Sequence, residues 1–152
     1  VERFDVKGKR YFDYPMKYYA TDVGIRNALL NFRQIEETHL MENAIYTELV
    51  LRGYAVDVGA TRVAETRDGK RNDSMREIDF VVNRGHARAY IQSAWPLDDE
   101  RKRQQEITPL LKSGDFFRKY VVVDGSQAPW TAERGLTYVG VIPFLLRPEI
   151  LE

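Results

Sequence analysis

The chain has 152 residues, no cysteine, and 23 basic against 23 acidic side chains. That length suits one compact domain able to bury about 68–70% of its unfolded surface, the even charge leaves no overall basic footprint for nucleic acid, and without Cys there is no disulfide framework or thiolate zinc site. Hydrophobic residues at 43% and charged residues at 30% describe a globular chain rather than a disordered one, and no apolar run approaches the ~20 residues of a membrane span.

The N-terminus, Val1-Glu2-Arg3-Phe4-Asp5, has neither an initiator Met nor an apolar leader. It predicts a segment cut from a longer polypeptide that is cytoplasmic rather than secreted. Phe4 and Val6, then Tyr11 and Phe12, flank Lys7-Gly8-Lys9 and predict a hairpin. Thr21-Asp22 is a helix start, with Ile25, Leu29 and Leu30 spaced for a short amphipathic helix. Residues 31–37 read as a polar connector. From His39 to about Arg52 the period is helical, with Met41, Ala44, Ile45 and Leu49 on one stripe, and Gly53 is the stop signal.

Tyr54 to Val58 predicts a strand, and Thr61 to Met75, polar and Gly-containing, an exposed mobile loop. Two further strands, Glu77 to Val82 and Ala89 to Ala94, pair about a turn at Gly85-His86. Asp98 to about Lys112 predicts a helix that opens on acids favourable to its dipole, with Pro109 kinking or dividing it. Tyr120 to Val123 is a strand covered on both faces, Leu136 to Ile142 a last strand, and Phe144-Leu145-Leu146 an apolar terminal patch. The order is that of an α/β domain with a mixed sheet.

The chemistry concentrates on the pair of strands about Gly85-His86. With period two, Glu77 and Asp79 project to one side and Ile78 and Phe80 to the other, while Gln92 and Ala94 share a face. A register centred on the turn sets Asp79 opposite Gln92, Val81 opposite Tyr90 and Glu77 opposite Ala94. Glu42 shares a helix face with Ile45, Tyr46 and Leu49, where a carboxylate is costly unless it is paired or binds metal. Two readings of Glu42 stay open: a metal ligand, or a partner of a buried Arg or backbone amide. Gln92 has low strand propensity, so it reads as a weak ligand or as a hydrogen-bond partner of Asp79.

Asp79 otherwise reads as an ordinary polar-face residue, and Glu77 as plain surface. Only His39 and His86 are histidines, too far apart in sequence for a two-His site. Trp95 and Trp130 read as packing residues rather than base-stacking platforms. The clusters Lys70-Arg71 and Arg101-Lys102-Arg103 read as solvated surface.

A helix carboxylate, an Asp on one strand and an acid-x-lysine pair on the next make up the site of metal-dependent nucleases of the PD-(D/E)XK type. Here Gln92 and Ala94 stand at the last two positions. Lys17-Tyr18-Tyr19, Asp22, Gly24 and Arg26, then Met41-Glu42-Asn43, Arg52-Gly53-Tyr54, Glu77-Ile78-Asp79-Phe80 and Tyr90-Ile91-Gln92 follow in an order that extends over nearly the whole chain. In these motifs the chain resembles the C-terminal domain of unknown function number 4143, which follows the ATPase core in many prokaryotic AAA+-type ATP-binding proteins.

The resemblance implies a restriction-endonuclease-like fold, with a mixed β-sheet flanked by helices. Residues 1–30 would be the tail of a connecting region, winged-helix-like, and 31–152 the nuclease-like domain. It implies an ATPase domain upstream in the same polypeptide as partner, with ATP bound only there. By that comparison Glu42, Asp79 and Gln92 occupy the catalytic positions, and Glu42 and Asp79 those of Mg²⁺ ligands.

The expected function is therefore a nuclease-fold accessory domain that binds nucleic acid or a divalent metal. Hydrolysis is not expected, because Ala94 offers no cation and Gln92 no negative charge. Two alternatives stand beside it. One is an active Mg²⁺-dependent nuclease in which a migrated Lys119 or Arg101 replaces the missing lysine. The other is a protein-interaction or oligomerisation module. A basic rim around Glu42 and Asp79 would favour the nuclease, an exposed apolar patch the interaction module.

Overall fold

The computed structural model describes residues 1–8, 10–11, 15–33, 35–67, 70–95 and 100–152. The elements in chain order are β1 (Arg3–Asp5), β2 (Arg10–Tyr11), α1 (Val23–Leu29), α2 (Glu37–Leu51), β3 (Ala55–Arg67), β4 (Lys70–Arg84), β5 (Ala87–Ala94), α3 (Glu100–Leu111), β6 (Arg118–Val123), β7 (Trp130–Thr131), β8 (Leu136–Gly140) and α4 (Val141–Leu146). Among the described residues the strands form one eight-stranded mixed sheet, in the order β2-β1-β3-β4-β5-β6-β8-β7. Strand β5 pairs antiparallel with β4 and parallel with β6, and β6 pairs parallel with β8.

Helices cover both faces. On one face Met41, Ile45 and Leu49 of α2 and Phe144 of α4 pack on Phe80, Val82, Ile91, Tyr120 and Val122. On the other, Ile107 and Leu110 of α3 pack on Ile78, Val81, Tyr90 and Val121. The near-continuous apolar runs of β5 and β6 follow from this double cover. Helix α2 buries Met41, Ile45 and Leu49, one residue per turn, and ends where Gly53 takes a φ of 78°, a conformation glycine adopts without steric cost. Arg52 then donates to the carbonyls of Phe144 and Leu145 and ties the end of α2 to α4.

The first hairpin forms as expected, with Phe4 opposite Tyr11. Asp22 caps α1 by accepting from the Ile25 N–H, yet α1 buries none of its residues. Its amphipathic spacing is present without a covered face.

Three expectations are corrected. Residues 61–67 and 70–75 are not a mobile loop: they complete the long arms of β3 and β4, paired from Ala60–Glu77 out to Arg67–Lys70. Their alternation carries the strand signal, with Thr61 and Val63 buried and Arg62 and Ala64 exposed, but the polar content hides it. Pro109 does not divide α3, which runs through it to Leu111. It sits in the last turn, where one lost backbone bond does not end a helix that stops two residues later. The last strand stops at Gly140 rather than Ile142, and Val141 and Ile142 open a short helix, α4, that carries the apolar patch, burying Phe144 and leaving Leu146 exposed.

The most consequential departure is in β4. The pairing with β3 runs Asp57–Val81 and then Gly59–Ile78, so Asp79 and Phe80 together face the single residue Val58. This is a β-bulge, which breaks the period of two and re-aims a side chain. Ile78 and Phe80 therefore pack on opposite faces, with α3 and α2 respectively, and not on one side as the simple alternation requires. Gly59 makes the bulge sterically feasible. A Cβ there would lie 2.9 Å from Ile78 Cβ and from Val81 Cγ2.

Phe12 and the Asp98-Asp99 helix opening lie outside the described residues, as do the Lys9 turn position and the side chains of Lys70 and Arg71.

Candidate functional site

Strands β4 and β5 pair in the expected register, Val81 opposite Tyr90, but the ladder ends at Phe80–Ile91. Glu77 and Ala94 consequently do not pair. Glu77 reaches the N-terminal segment, and Ala94 packs with α3. The strands part at the bulge, and the Asp79 carboxylate fills the gap. Its Oδ2 accepts from the Ser93 backbone N–H at 2.9 Å and from Gln92 Nε2 at 2.8 Å. Gln92 Oε1 in turn accepts from the Asp79 N–H at 3.4 Å. Side-chain bonds thus replace the missing ladder bonds.

Gln92 is buried, and its Nε2 also donates to Glu106 of α3 at 3.2 Å. With both ends of the amide engaged, Gln92 acts as a strut between β4 and α3 rather than as an open ligand.

The cation at this cluster comes from the N-terminal segment. Lys17 Nζ lies 2.6 Å from Glu42 Oε1, 3.0 Å from Glu77 Oε1 and 3.7 Å from Asp79 Oδ1. Glu42 is inward, its side chain 13% exposed, and it meets Asp79 through this shared ammonium. Glu42 Oε1 also accepts from the Tyr19 hydroxyl at 2.6 Å. The partner of Glu42 is thus neither a buried Arg nor a backbone amide. Arg3 pairs with Glu77 at 3.1 Å, so Glu77 is no plain surface residue.

The segment carrying Lys17 is fixed on all sides. Tyr19 stacks on Tyr46 of α2 at 4.2 Å between centroids. Asn43 uses both ends of its amide on the Ala20 backbone, at 2.8 Å and 2.7 Å. The Lys17 N–H donates to the Val1 carbonyl, and Arg3 to that of Pro15.

The electrostatics follow from this crowding. Burial, then the neighbouring Glu42 charge, pushes the Asp79 carboxyl up to about 7, against the pull of Lys17 and the Ser93 N–H. Burial works to lower Lys17, but its hydrogen bond to Glu42 and the charges of Asp79 and Glu42 outweigh it and hold the ammonium above the usual lysine range. Burial and Glu42 likewise raise Tyr19, which stays a donor. Such shifts arise at functional sites and in structural ion-pair networks alike.

The donor set does not fit Mg²⁺ as it stands. Glu42, Glu77 and Asp79 offer hard oxygens of the right kind, but the Lys17 ammonium holds the place between them. Among the described residues no group of three or more His, Asp or Glu side chains is disposed to hold a metal ion.

Sequence reasoning brought Glu42, Asp79 and Gln92 to one place but missed Lys17, Tyr19, Asn43 and Glu106. Lys17 and Tyr19 were visible only as part of the Lys17-Tyr18-Tyr19 motif. Lys119, a candidate replacement lysine, is bound instead to the Asp115 carbonyl at 2.7 Å, and Arg101 is exposed on α3. His39 pairs with Glu36, and His86 lies exposed in the turn.

A cavity of about 220 Å³ adjoins the cluster, lined by Lys17, Tyr18, Arg26, His39, Glu42 and Asn43 among others. On α1 and the segment after it Ile25, Leu29, Leu30, Phe32 and Ile35 are exposed, interspersed with exposed Asn31 and Arg33. Both discriminating features, a partly basic rim and an apolar patch, are present. No helix among the described residues is long and apolar enough to cross a membrane.

The chain is similar to an uncharacterized protein of Haemophilus influenzae, 27% identical over 147 residues that make up 97% of this chain and 33% of that protein. It spans about a third of the length of that relative. No family model and no solved structure matches.

Proposed function

We propose that this is a restriction-endonuclease-like accessory domain of an AAA+-type ATPase that binds nucleic acid without hydrolysing it. The observation that carries the reading is the position of Lys17. Its ammonium bridges Glu42, Glu77 and Asp79 from between them, at 2.6–3.7 Å, in the place a metal ion would need. The fold assignment is supported by α2 and α3 on opposite faces of β4 and β5, with a carboxylate at the point where those strands part. The ligand class comes by fold-level analogy.

The test is incubation with single-stranded, duplex and branched DNA and with RNA in Mg²⁺ and in Mn²⁺, with fluorescence anisotropy run in parallel. Binding without cutting is expected. Cutting abolished by Asp79→Ala would replace this reading with that of an active nuclease, and Lys17→Ala would show whether Lys17 is its displaced lysine.

A second reading, a protein-interaction module, draws on α1. This helix buries none of its residues, and Ile25 and Leu29 stand exposed one turn apart. Four residues apart, they share one face of the helix, and apolar surface left uncovered is a feature of interaction sites. Loss of partner binding in Ile25→Asp/Leu29→Asp, with oligonucleotide affinity absent from the start, would favour it.

A further inference from the structure

The parallel strands β5, β6 and β8 finish at one end of the sheet, at Ala94, Val123 and Gly140. Open α/β sheets bind their ligands in the crevice beyond such strand ends. A cavity of about 340 Å³ lies there, walled by Trp95, Trp130 and Tyr138 and reaching Arg103 and Glu106 of α3. Its volume falls within the ~300–1,000 Å³ of small-molecule sites. The earlier expectation that both tryptophans are packing residues fits Trp95, which packs against the core. It does not fit Trp130, which is 43% exposed on the edge strand β7 and stacked on Tyr138 at 5.3 Å and 21°.

The lining selects a planar aromatic ligand with hydrogen-bonding edges over an aliphatic one. Trp130 and Tyr138, stacked on one another, make an aromatic platform of the kind on which bases stack whatever their sequence. A carboxylate only accepts hydrogen bonds, so Glu106 suits an edge of N–H donors. Glu106 also holds Gln92, which holds Asp79, so the cavity adjoins the carboxylate cluster through one side chain.

We infer that this cavity binds a nucleobase, with its face on Trp130 and a donor edge toward Glu106. Guanine fits best, because its N1–H and N2–H donors lie side by side and a carboxylate oxygen can accept a second hydrogen bond, so Glu106 can receive them while Oε2 also accepts from Gln92. The inference deepens the nucleic-acid reading above and rests on it for the source of the base, an unstacked nucleotide of a single strand rather than a free mononucleotide.

Both tryptophans of the chain line this cavity, so intrinsic fluorescence reports on it directly. The experiment titrates GMP, AMP, CMP, UMP, a guanine-containing single-stranded oligonucleotide and an abasic oligomer, with free N-acetyltryptophanamide correcting for absorption. Saturable quenching is expected, strongest with guanine. Trp130→Ala, in which Trp95 still reports, and Glu106→Gln should each weaken it at least fivefold.

The inference is overturned by an absence of saturable quenching, by quenching indifferent to both substitutions, or by an abasic oligomer that quenches equally. Anisotropy of a labelled oligonucleotide separates the two proposals. Oligonucleotide binding without quenching sinks the cavity and leaves the nucleic-acid reading standing. Quenching by mononucleotides without oligonucleotide binding does the reverse, and assigns the cavity to free nucleotides.

Discussion

Lys17 and Asp79 set the behaviour of the cluster at the scale of single residues. Lys17 is 25% exposed and pairs with three carboxylates. Removing one member of a buried charge group is strongly destabilising, and partial exposure reduces the effect. Lys17→Met should cost about 1–3 kcal/mol in urea unfolding at pH 7.5, and a neutral result would mean the cluster is solvated and flexible.

Asp79 carries the opposite sign. Its folded pKa, about 7, lies above the unfolded carboxylate value, so the folded state binds the proton more tightly and stability falls as pH rises from about 4 through 7. Asp79→Asn should flatten that part of the stability profile and be relatively more stable at pH 8 than at pH 5. An unchanged slope in the variant would assign the pH dependence to another group.

These two residues show what a sequence reveals of a site. Glu42 was legible from the helical period of α2, and Asp79 with Gln92 from the register about the Gly85-His86 turn, although alternation along β4 fails at the bulge. The arrival of Lys17 was not, because it depends on contacts such as Tyr19 with Tyr46 and Asn43 with Ala20, which join residues more than twenty positions apart.

At the scale of elements, the bulge in β4 carries the geometry. It turns Asp79 into the gap between β4 and β5 and sends Ile78 and Phe80 to different faces. Gly59 is its counterpart on β3. Gly59→Ala would drive a Cβ against Ile78 and Val81, and such overpacking costs about 1–3 kcal/mol. The substitution should also shift the Ser93 amide resonance, because the Asp79 carboxylate that accepts from it moves. Full stability with an unperturbed Ser93 would show that the bulge is not the positioning device.

Strands β5, β6 and β8, helix α2 with its Gly53 stop and the turn at Gly85-His86 could be read from apolar runs and punctuation. The arms of β3 and β4 beyond Thr61 could not, because their solvent-facing polar residues mask the alternation. Asp68-Gly69, a strong hairpin dipeptide, was the overlooked signal.

For the whole molecule, the mixed sheet between two helical layers brings the carboxylate cluster and the aromatic cavity to either side of one strut, Gln92. Its amide bonds to Asp79 and to Glu106, which links the layer of α3 to the parting of β4 and β5. The N-terminal segment belongs to the same architecture, with β1 paired to β3 and Lys17 seated among the carboxylates. The central claim is that this lysine, and not a metal ion, holds the centre of the cluster. Titration of Mn²⁺ followed by electron paramagnetic resonance, on the wild type and on Asp79→Ala, tests it most directly. The account predicts no stoichiometric Mn²⁺ in the wild type and no difference between the two proteins. One tightly held Mn²⁺ per chain, lost in Asp79→Ala, would contradict it.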